Sequence, residues 1–379
     1  MQLNRPFVAA MIIPTGVGAS IGGFAGDATP SLNLLASVTD VLITHPNVAN
    51  AAVFQKLPEN ALYVEGYGLD QFMQGRWALQ PVRKNRIGVV FDAGIPEDML
   101  TLHINTLNAV KSVYGVDILG YTLTETPVDI TCEMTDAGCS SGSLRNPDVI
   151  LNACRELQAR GATAIALCML LPELPEGEAE AESSYKTGSG VDPIGGIEGI
   201  LSHLVVSELG IPCAHAPVFP WEKAIPMLDE ILDPRAAAEF IAPTFLPCVL
   251  TGLHRAPQFV VLKHSTQTPA MDSRVRGNDK QSSLSIHDLQ ALVVPANALG
   301  GIPVLAALEH NIPIITVESN QTVLDMTASH FQNLPPEHQT LIRPAHSYEE
   351  AAGILQALRL GLTMDATPVP NLAKIPIQA

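Results

Sequence analysis

The sequence predicts an α/β fold: largely parallel sheet built from Rossmann-like βαβ units, arranged as two lobes around a cleft. Two observations lead to it. Short apolar runs alternate with amphipathic helical patterns along most of the chain, which is the rhythm of βαβ units. The apolar runs are continuous, as in strands covered on both faces. Composition agrees: of 379 residues 47% are hydrophobic and only 16% charged, against roughly 25% charged in an average soluble domain. This excludes disorder. The 28 Gly and 30 Pro follow no fixed period and heptads are lacking, which excludes collagen and coiled coil. A formal net charge of −17 lacks the basic footprint that neutralises phosphates, so no nucleic-acid partner is expected.

Residues 7–14 (FVAAMIIP) read as a first strand, 31–40 as a helix, 41–46 (VLITHP) as a second strand and 47–55 as a helical turn. Residues 85–95 form a strand, 97–115 a helix ending on Gly, and 116–125 another strand; 126–147 is irregular or a hairpin. A helix follows at 147–161, with Pro at its start and Gly at its end as caps prefer. Residues 162–172 are a strand and 173–190 an acidic, Gly/Ser-rich loop. A helix lies within 191–210, a strand at 211–217, and 291–320 reads as strand–loop–helix–strand. An amphipathic helix spans 347–362. Segment 264–283 (HSTQTPAMDSRVRGNDKQSS) breaks the rhythm and reads as a translated mobile DNA repeat inserted as a surface loop. The expected division is an N-terminal lobe at 1–125 and a C-terminal lobe at 126–379; one large α/β domain is the alternative.

The six Cys form no CxxC pair and several lie in apolar runs, as buried thiols do in a reducing cytosol. No apolar run reaches the ~18–20 residues of a membrane span. The first apolar run leads into a Gly-rich loop rather than a cleavage site. A cytoplasmic place without a membrane partner is expected, with a homo-oligomer as the common state of such proteins.

In open parallel sheets ligands bind beyond the carboxyl ends of strands. The first such loop, PTGVGASIGGFAGDATPS, carries Thr15, Gly16, Gly18, Ser20, Gly22, Gly23, Gly26 and Asp27. Glycines allow close backbone approach and aim N–H groups at an anion. The spacing is neither GxGxxG nor a P-loop, and a tight crossover needing small residues is the alternative. The second, THPNVANAA, offers His45 and Asn47 as base, ligand or helix cap. Tyr63, Glu65, Tyr67, Asp70 and Asp92 lie at further strand ends. GSGVDPIGGIEGILSH brings Gly188, Gly190, Asp192, Gly195, Gly196, Glu198 and His203. Gly at a helix start suits an anion, Asp192 also suits an N-cap, and His203, about three turns in, suits packing. Cys213 and His215 fall two apart in a strand, hence on one side; His215 is the working group and Cys213 core. Arg255 suits a carboxylate or phosphate. Gly300, Gly301, Glu318 and Asn320 complete the last unit, in a pattern faintly like a glycosyltransferase nucleotide-sugar loop.

Taken together, PTGVGASIGGFAGDA, LITHPNVANAA, LYVEGYGLD, GSGVDPIGGIEGILSHLVV, IPCAHAP, TFLPCVLTGL and ALGGIPVLAALEHNIPIITVESN resemble a family catalogued as a domain of unknown function, DUF 3326. It is known mainly from photosynthetic lineages. The resemblance covers nearly the whole chain apart from 264–283 and implies no particular activity.

The polar signatures therefore point to an enzyme acting on a small anionic metabolite, a carboxylate or phosphate. His45, His215, Asp27, Glu65 and Asp192 are the acid–base candidates. The glycine loops, Asn47 and Arg255 are the anion-binding candidates. The cofactor is open: a divalent metal fits if two or more of Asp27, Asp92, Asp192 and Glu318 converge with a His. Isomerase, lyase and hydrolase chemistry are all compatible. A non-catalytic metabolite- or nucleotide-binding regulator is the second reading, and a glycosyltransferase-like enzyme the third.

Overall fold

The computed structural model describes residues 5–24, 26–50, 54, 57–172, 187–219, 231–262 and 283–362. The inserted segment 264–283 lies outside them except for Ser283, as does the acidic loop up to residue 186.

Within the described residues the chain runs β1 (Val8–Met11), α1 (Thr29–Ser37), β2 (Val41–Thr44), β3 (Ala61–Tyr63), α2 (Gly66–Met73), β4 (Trp77–Gln80) and β5 (Arg86–Phe91). It continues through α3 (Glu97–Tyr114), β6 (Asp117–Leu123), β7 (Ile130–Met134), β8 (Ser140–Leu144), α4 (Pro147–Ala159), β9 (Ala164–Leu170), α5 (Gly195–Leu209) and β10 (Cys213–Val218). It ends with α6 (Pro234–Phe240), α7 (Leu246–His254), β11 (Gln258–Val261), β12 (Leu289–Pro295), α8 (Ile302–Glu309), β13 (Ile314–Val317), α9 (Pro336–Gln339), β14 (Ile342–Ala345) and α10 (Tyr348–Arg359).

Two parallel sheets carry the fold. The first has six strands in the order β14-β13-β12-β1-β2-β3, the second four in the order β10-β9-β5-β6. Antiparallel pairs β4–β11 and β7–β8 complete the described strands. The continuous apolar runs have a direct cause: each central strand is covered on both faces. Ala9 and Met11 of β1 pack among residues of α1 and α10, while Val8 and Ala10 pack among residues of α2 and α8. In β5, Val89 and Phe91 face one core and Val90 the other. Fully burying one such side chain stabilises by about 1.5–3 kcal/mol. Helix ends follow backbone chemistry: α3 and α5 stop at Gly115 and Gly210, both left-handed with φ of 67° and 62°.

The fold class is thus α/β with parallel sheets, as expected. The expected division at residue 125 does not follow the sheets. β1–β3 pair with β12–β14, and β5 and β6 pair with β9 and β10, so each sheet takes strands from both sides of that boundary. Nor do the contacts draw two separate lobes, because α5 packs on β10 of the second sheet and on α2, which follows β3 of the first. The 126–147 segment is the β7–β8 hairpin. Elements without an assignment in the sequence reading include β3, α2, α6 and α7, together with β4 and β11, whose mates lie far apart in the chain, and β14, a four-residue edge strand containing a Pro.

Candidate functional site

β2 and β3 run side by side and end together, with Thr44 opposite Tyr63. His45 follows the first and Glu65 the second. Glu65 has extended backbone and caps α2, accepting the Tyr67 N–H at 2.8 Å. Its other carboxyl oxygen is ion-paired with His203 Nδ1 and accepts a long hydrogen bond of 3.5 Å from Ser202 Oγ. Glu65 is 4% exposed. One turn earlier on α5, Glu198 Oε1 lies 3.3 Å from Nδ1 of His215 in β10. Positions 198, 202 and 203 lie on neighbouring turns of one helix. Through them α5 joins the end of β3 in the first sheet to β10 in the second.

Burial sets the protonation of this cluster. It pushes the Glu198 carboxyl up to about 8 and, with Glu198 nearby, the Asp192 carboxyl up to about 7. It pulls His215 down to about 3 and, helped by the His203 charge, His45 down to about 4. Asp70 is raised by burial to about 6. Burial also pulls on His203, but its contact with Glu65, then the charges of Glu65 and Asp70 and the Gly199 carbonyl, outweigh it and hold the ring above its ordinary value. Burial therefore favours a protonated acid against a neutral imidazole at Glu198–His215, beside the Glu65–His203 contact, which favours the charged imidazolium. The Nε2 atom of His215 is buried without a hydrogen-bond partner among the described residues.

Two glycine-bearing loops meet above the N-terminus of α5. The Ser140 N–H donates to the Gly16 carbonyl at 3.0 Å, and the Gly196 N–H donates to Ser140 Oγ at 2.9 Å. Thr15 lies beside Gly195, and Gly18 beside Gly190 and Val191. Gly16 and Gly18 have φ of 70° and 57°, and a Cβ would fall 2.6 Å from Ser140 Oγ and 2.9 Å from Val191. These glycines are required by close loop contact as well as by backbone conformation. Among the described residues, the N–H groups of Thr15, Gly16, Val17, Gly18 and Ala19 have no hydrogen-bond partner. Successive unpartnered N–H groups with left-handed glycines interleaved are the backbone pattern from which anion-binding concavities are built.

The structure thus brings together His45, Glu65, Asp192 and His215 with Thr15, Gly16, Gly18, Gly190, Gly195 and Gly196. Roles within that group differ from those expected. His45 Nε2 accepts the Ile13 N–H at 3.0 Å; the lone pair a general base needs is occupied. Asp192 Oδ1 accepts the Ile194 N–H at 3.0 Å in the turn ahead of α5; the N-cap position itself is Ile194, so Asp192 is not the helix cap named as its alternative. His215 lies third in a six-residue strand rather than at its end. His203, expected to pack, makes the ion pair. Glu198 was seen in sequence without a role; a carboxylate one turn into a glycine-started helix is the signal that marks it.

The other candidates brace the loop after β1 or lie apart from this group. Asp27 accepts the Gly22 N–H at 2.7 Å and braces its own loop. Ser20 bonds the Gln321 carbonyl, Gly23 donates to the Asn47 carbonyl, and Asn47 Nδ2 donates to the carbonyls of Ile13 and Pro14. Gly22 abuts the Ile13 side chain. Asn320, fully buried, holds Ile21 through both its N–H and its carbonyl and donates to the Tyr348 hydroxyl. Glu318 makes an exposed contact with His346. Gly300 and Gly301 are exposed at the start of α8, beside Met326 and Pro303. Arg255 is exposed at the C-terminus of α7, where the His254 carbonyl accepts the N–H of Asn85 just before β5. That is the amino end of the second sheet, opposite to the strand ends at which ligands bind. Asp92 accepts the N–H groups of Gly94 and Val128. Asp27, Asp92, Asp192 and Glu318 therefore have separate partner sets. Among the described residues no three His, Cys, Asp or Glu side chains are grouped to hold a metal ion, and no helix is long and apolar enough to cross a membrane.

Fold and cluster together define an α/β protein with two parallel sheets and a buried Glu–His constellation where they meet. The chain belongs to the family described as Protein of unknown function (DUF3326), which matches residues 8–367. It is similar to an uncharacterized lipoprotein of Synechococcus sp., with 38% identity over 362 residues, 95% of this chain and 93% of that one. No solved structure matches it.

Proposed function

We propose that this protein is an enzyme acting on a small anionic metabolite by acid–base chemistry centred on Glu198. The observation that carries this reading is the Glu198–His215 contact of 3.3 Å, made from a side chain 24% exposed to one 2% exposed. Two titratable groups whose environments drive their pKa values apart are the usual arrangement for dividing acid and base roles. Glu198 is the more open of the two and delivers or takes the proton. His215 lies behind it, shares that proton through Nδ1 and fixes the carboxyl rotamer. Free N–H groups of residues 15–19 hold the anion, where charge-assisted hydrogen bonds are strongest. A general acid–base group contributes roughly 10²–10⁴ in rate.

The test is to incubate the protein with a metabolite extract and follow paired loss and gain of ions by mass spectrometry. Wild type is expected to convert at least one carboxylate or phosphate, with Glu198→Gln at least ~100-fold slower. Equal conversion by the variant, or none by wild type, removes the reading. Binding without conversion is the outcome that favours a regulator. A cytoplasmic place is part of the proposal; the name of the Synechococcus relative speaks instead of a lipoprotein, and membrane fractionation decides between them.

A further inference from the structure

With Arg255 at the far end of the second sheet, the positive charge expected beside the anion loops must come from elsewhere. Arg235 of α6 lies against both loops. Its guanidinium is 5.3 Å from the centroid of the Phe24 ring, in the loop after β1, and its charge acts on Asp27 of the same loop. On the other side, Arg235 Nη2 is 2.7 Å from where a Cβ on Gly188 would stand. Two residues on, Gly190 lies against Gly18, within the stretch of free N–H groups.

Among the described residues the guanidinium is held by one edge only. Nε faces Asp233 Oδ1 at 3.3 Å, and the same oxygen accepts the Arg235 backbone N–H at 2.9 Å. Neither Nη has a hydrogen bond to a described residue. Gly188, left-handed at φ 72°, has no side chain to cover that edge. The side chain is 40% exposed. A guanidinium stacked on a buried ring, tethered through Nε and with both amino groups unpartnered among the described residues, is pre-organised for two parallel hydrogen bonds to an oxyanion.

We infer that Arg235 is the specificity-determining residue of the anion site, recognising a terminal carboxylate or phosphate group. The inference rests on the reading of the site as one for a small anion, but not on Glu198 performing chemistry.

Binding of inorganic phosphate and of succinate to the full chain is measured by calorimetry for wild type, R235M, R235K, R255M and H215A. Wild type is expected to bind one probe, which identifies the source as phosphate or carboxylate. R235M should bind it at least ~10-fold more weakly, R235K should recover only part because an ammonium lacks the planar fork, and R255M should match wild type. If R235M does not fold, the R235K deficit carries the test. Wild-type affinity in both Arg235 variants, or no binding of either probe by wild type, overturns the inference. H215A separates it from the enzymatic reading. Weak binding in R235M with unchanged binding and conversion in H215A keeps Arg235 and removes the chemistry. Lost conversion in H215A with full binding in R235M does the reverse.

Discussion

Glu65, two residues past the end of β3, is ion-paired with His203 of α5, so a strand of one sheet is fastened to a helix that packs on the other. Three groups depend on the Glu65 carboxylate: the first turn of α2, His203 and Ser202.

Replacing Glu65 with Gln is therefore expected to destabilise the fold. Losing a charged cap costs about 1 kcal/mol. Breaking the pair adds to it, by less than a fully buried pair would because the His203 side chain is 44% exposed. A total of about 2 kcal/mol is expected from urea unfolding. An unchanged midpoint would show that neither the cap nor the pair matters.

Stability should fall from about pH 6.5, the ordinary His value, towards alkaline pH. Raised carboxyls at Asp192 and Glu198 bind protons in the folded state that they release when unfolded, so their contribution is lost as pH rises towards about 7 and about 8. His203, also raised, contributes fully below its unfolded value and loses that contribution as pH climbs through its folded one. His45 and His215 are lowered to about 4 and about 3 and work the other way, but only up to about 6.5, the ordinary His value. Melting temperatures from pH 5 to 9 check this. Glu198→Gln should flatten the alkaline fall, and an identical slope would mean that Glu198 is ionised throughout.

Gly16→Ala and Gly18→Ala each force a side chain into left-handed backbone and into Ser140 or Val191. A loss of about 1–3 kcal/mol is expected for each. Gly353→Ala in α10, with nothing within 4 Å of the new Cβ, should gain up to about 1 kcal/mol. Thermal melts that move all three alike would refute the loop-contact argument.

Asn320→Ala leaves the N–H and carbonyl of Ile21 without their partner. Each stranded buried group costs about 1–3 kcal/mol. Limited proteolysis should then cut faster within residues 12–28 than in wild type. Equal cutting rates would show that Ser20 and Gln321 suffice to hold that loop.

Thiol labelling of the native protein should stop at one site. Cys132, Cys154, Cys168, Cys213 and Cys248 are buried, and Cys139 alone is half-exposed. Fast modification of a second cysteine, read by intact mass, would contradict this packing.

The βαβ rhythm was legible because strands covered on both faces must be apolar throughout, as at 8–11, 87–91 and 164–169. The glycine loops were legible because left-handed backbone and close approach leave few other choices, as at Gly16 and Gly18. Partnerships were not. Nothing local to Glu65 says that its counter-charge lies 138 positions later, at His203. Arg235 and Arg255 look alike in sequence, each beside a helix end, and only the stacking of elements puts Arg235 against the glycine loops and Arg255 at the amino end of the second sheet. Glycine content also had two causes at once, so loops read as anion cradles turned out to be partly loop-to-loop packing.

The sheet order has a consequence in time. β1, at the middle of the first sheet, pairs with β2 on one side and with β12 on the other, and the Val8 N–H is met by Gln290 across 282 positions. During synthesis, then, the ribosome delivers half of that sheet, afterwards every strand of the second, and only after these the strands that close the first. The later-started sheet can be finished while the earlier one still presents an open edge. A product stalled or truncated before residue 289 would carry that edge uncovered, as a template for another chain, and the order of translation makes residues 289–345 the guardian of the strands made first.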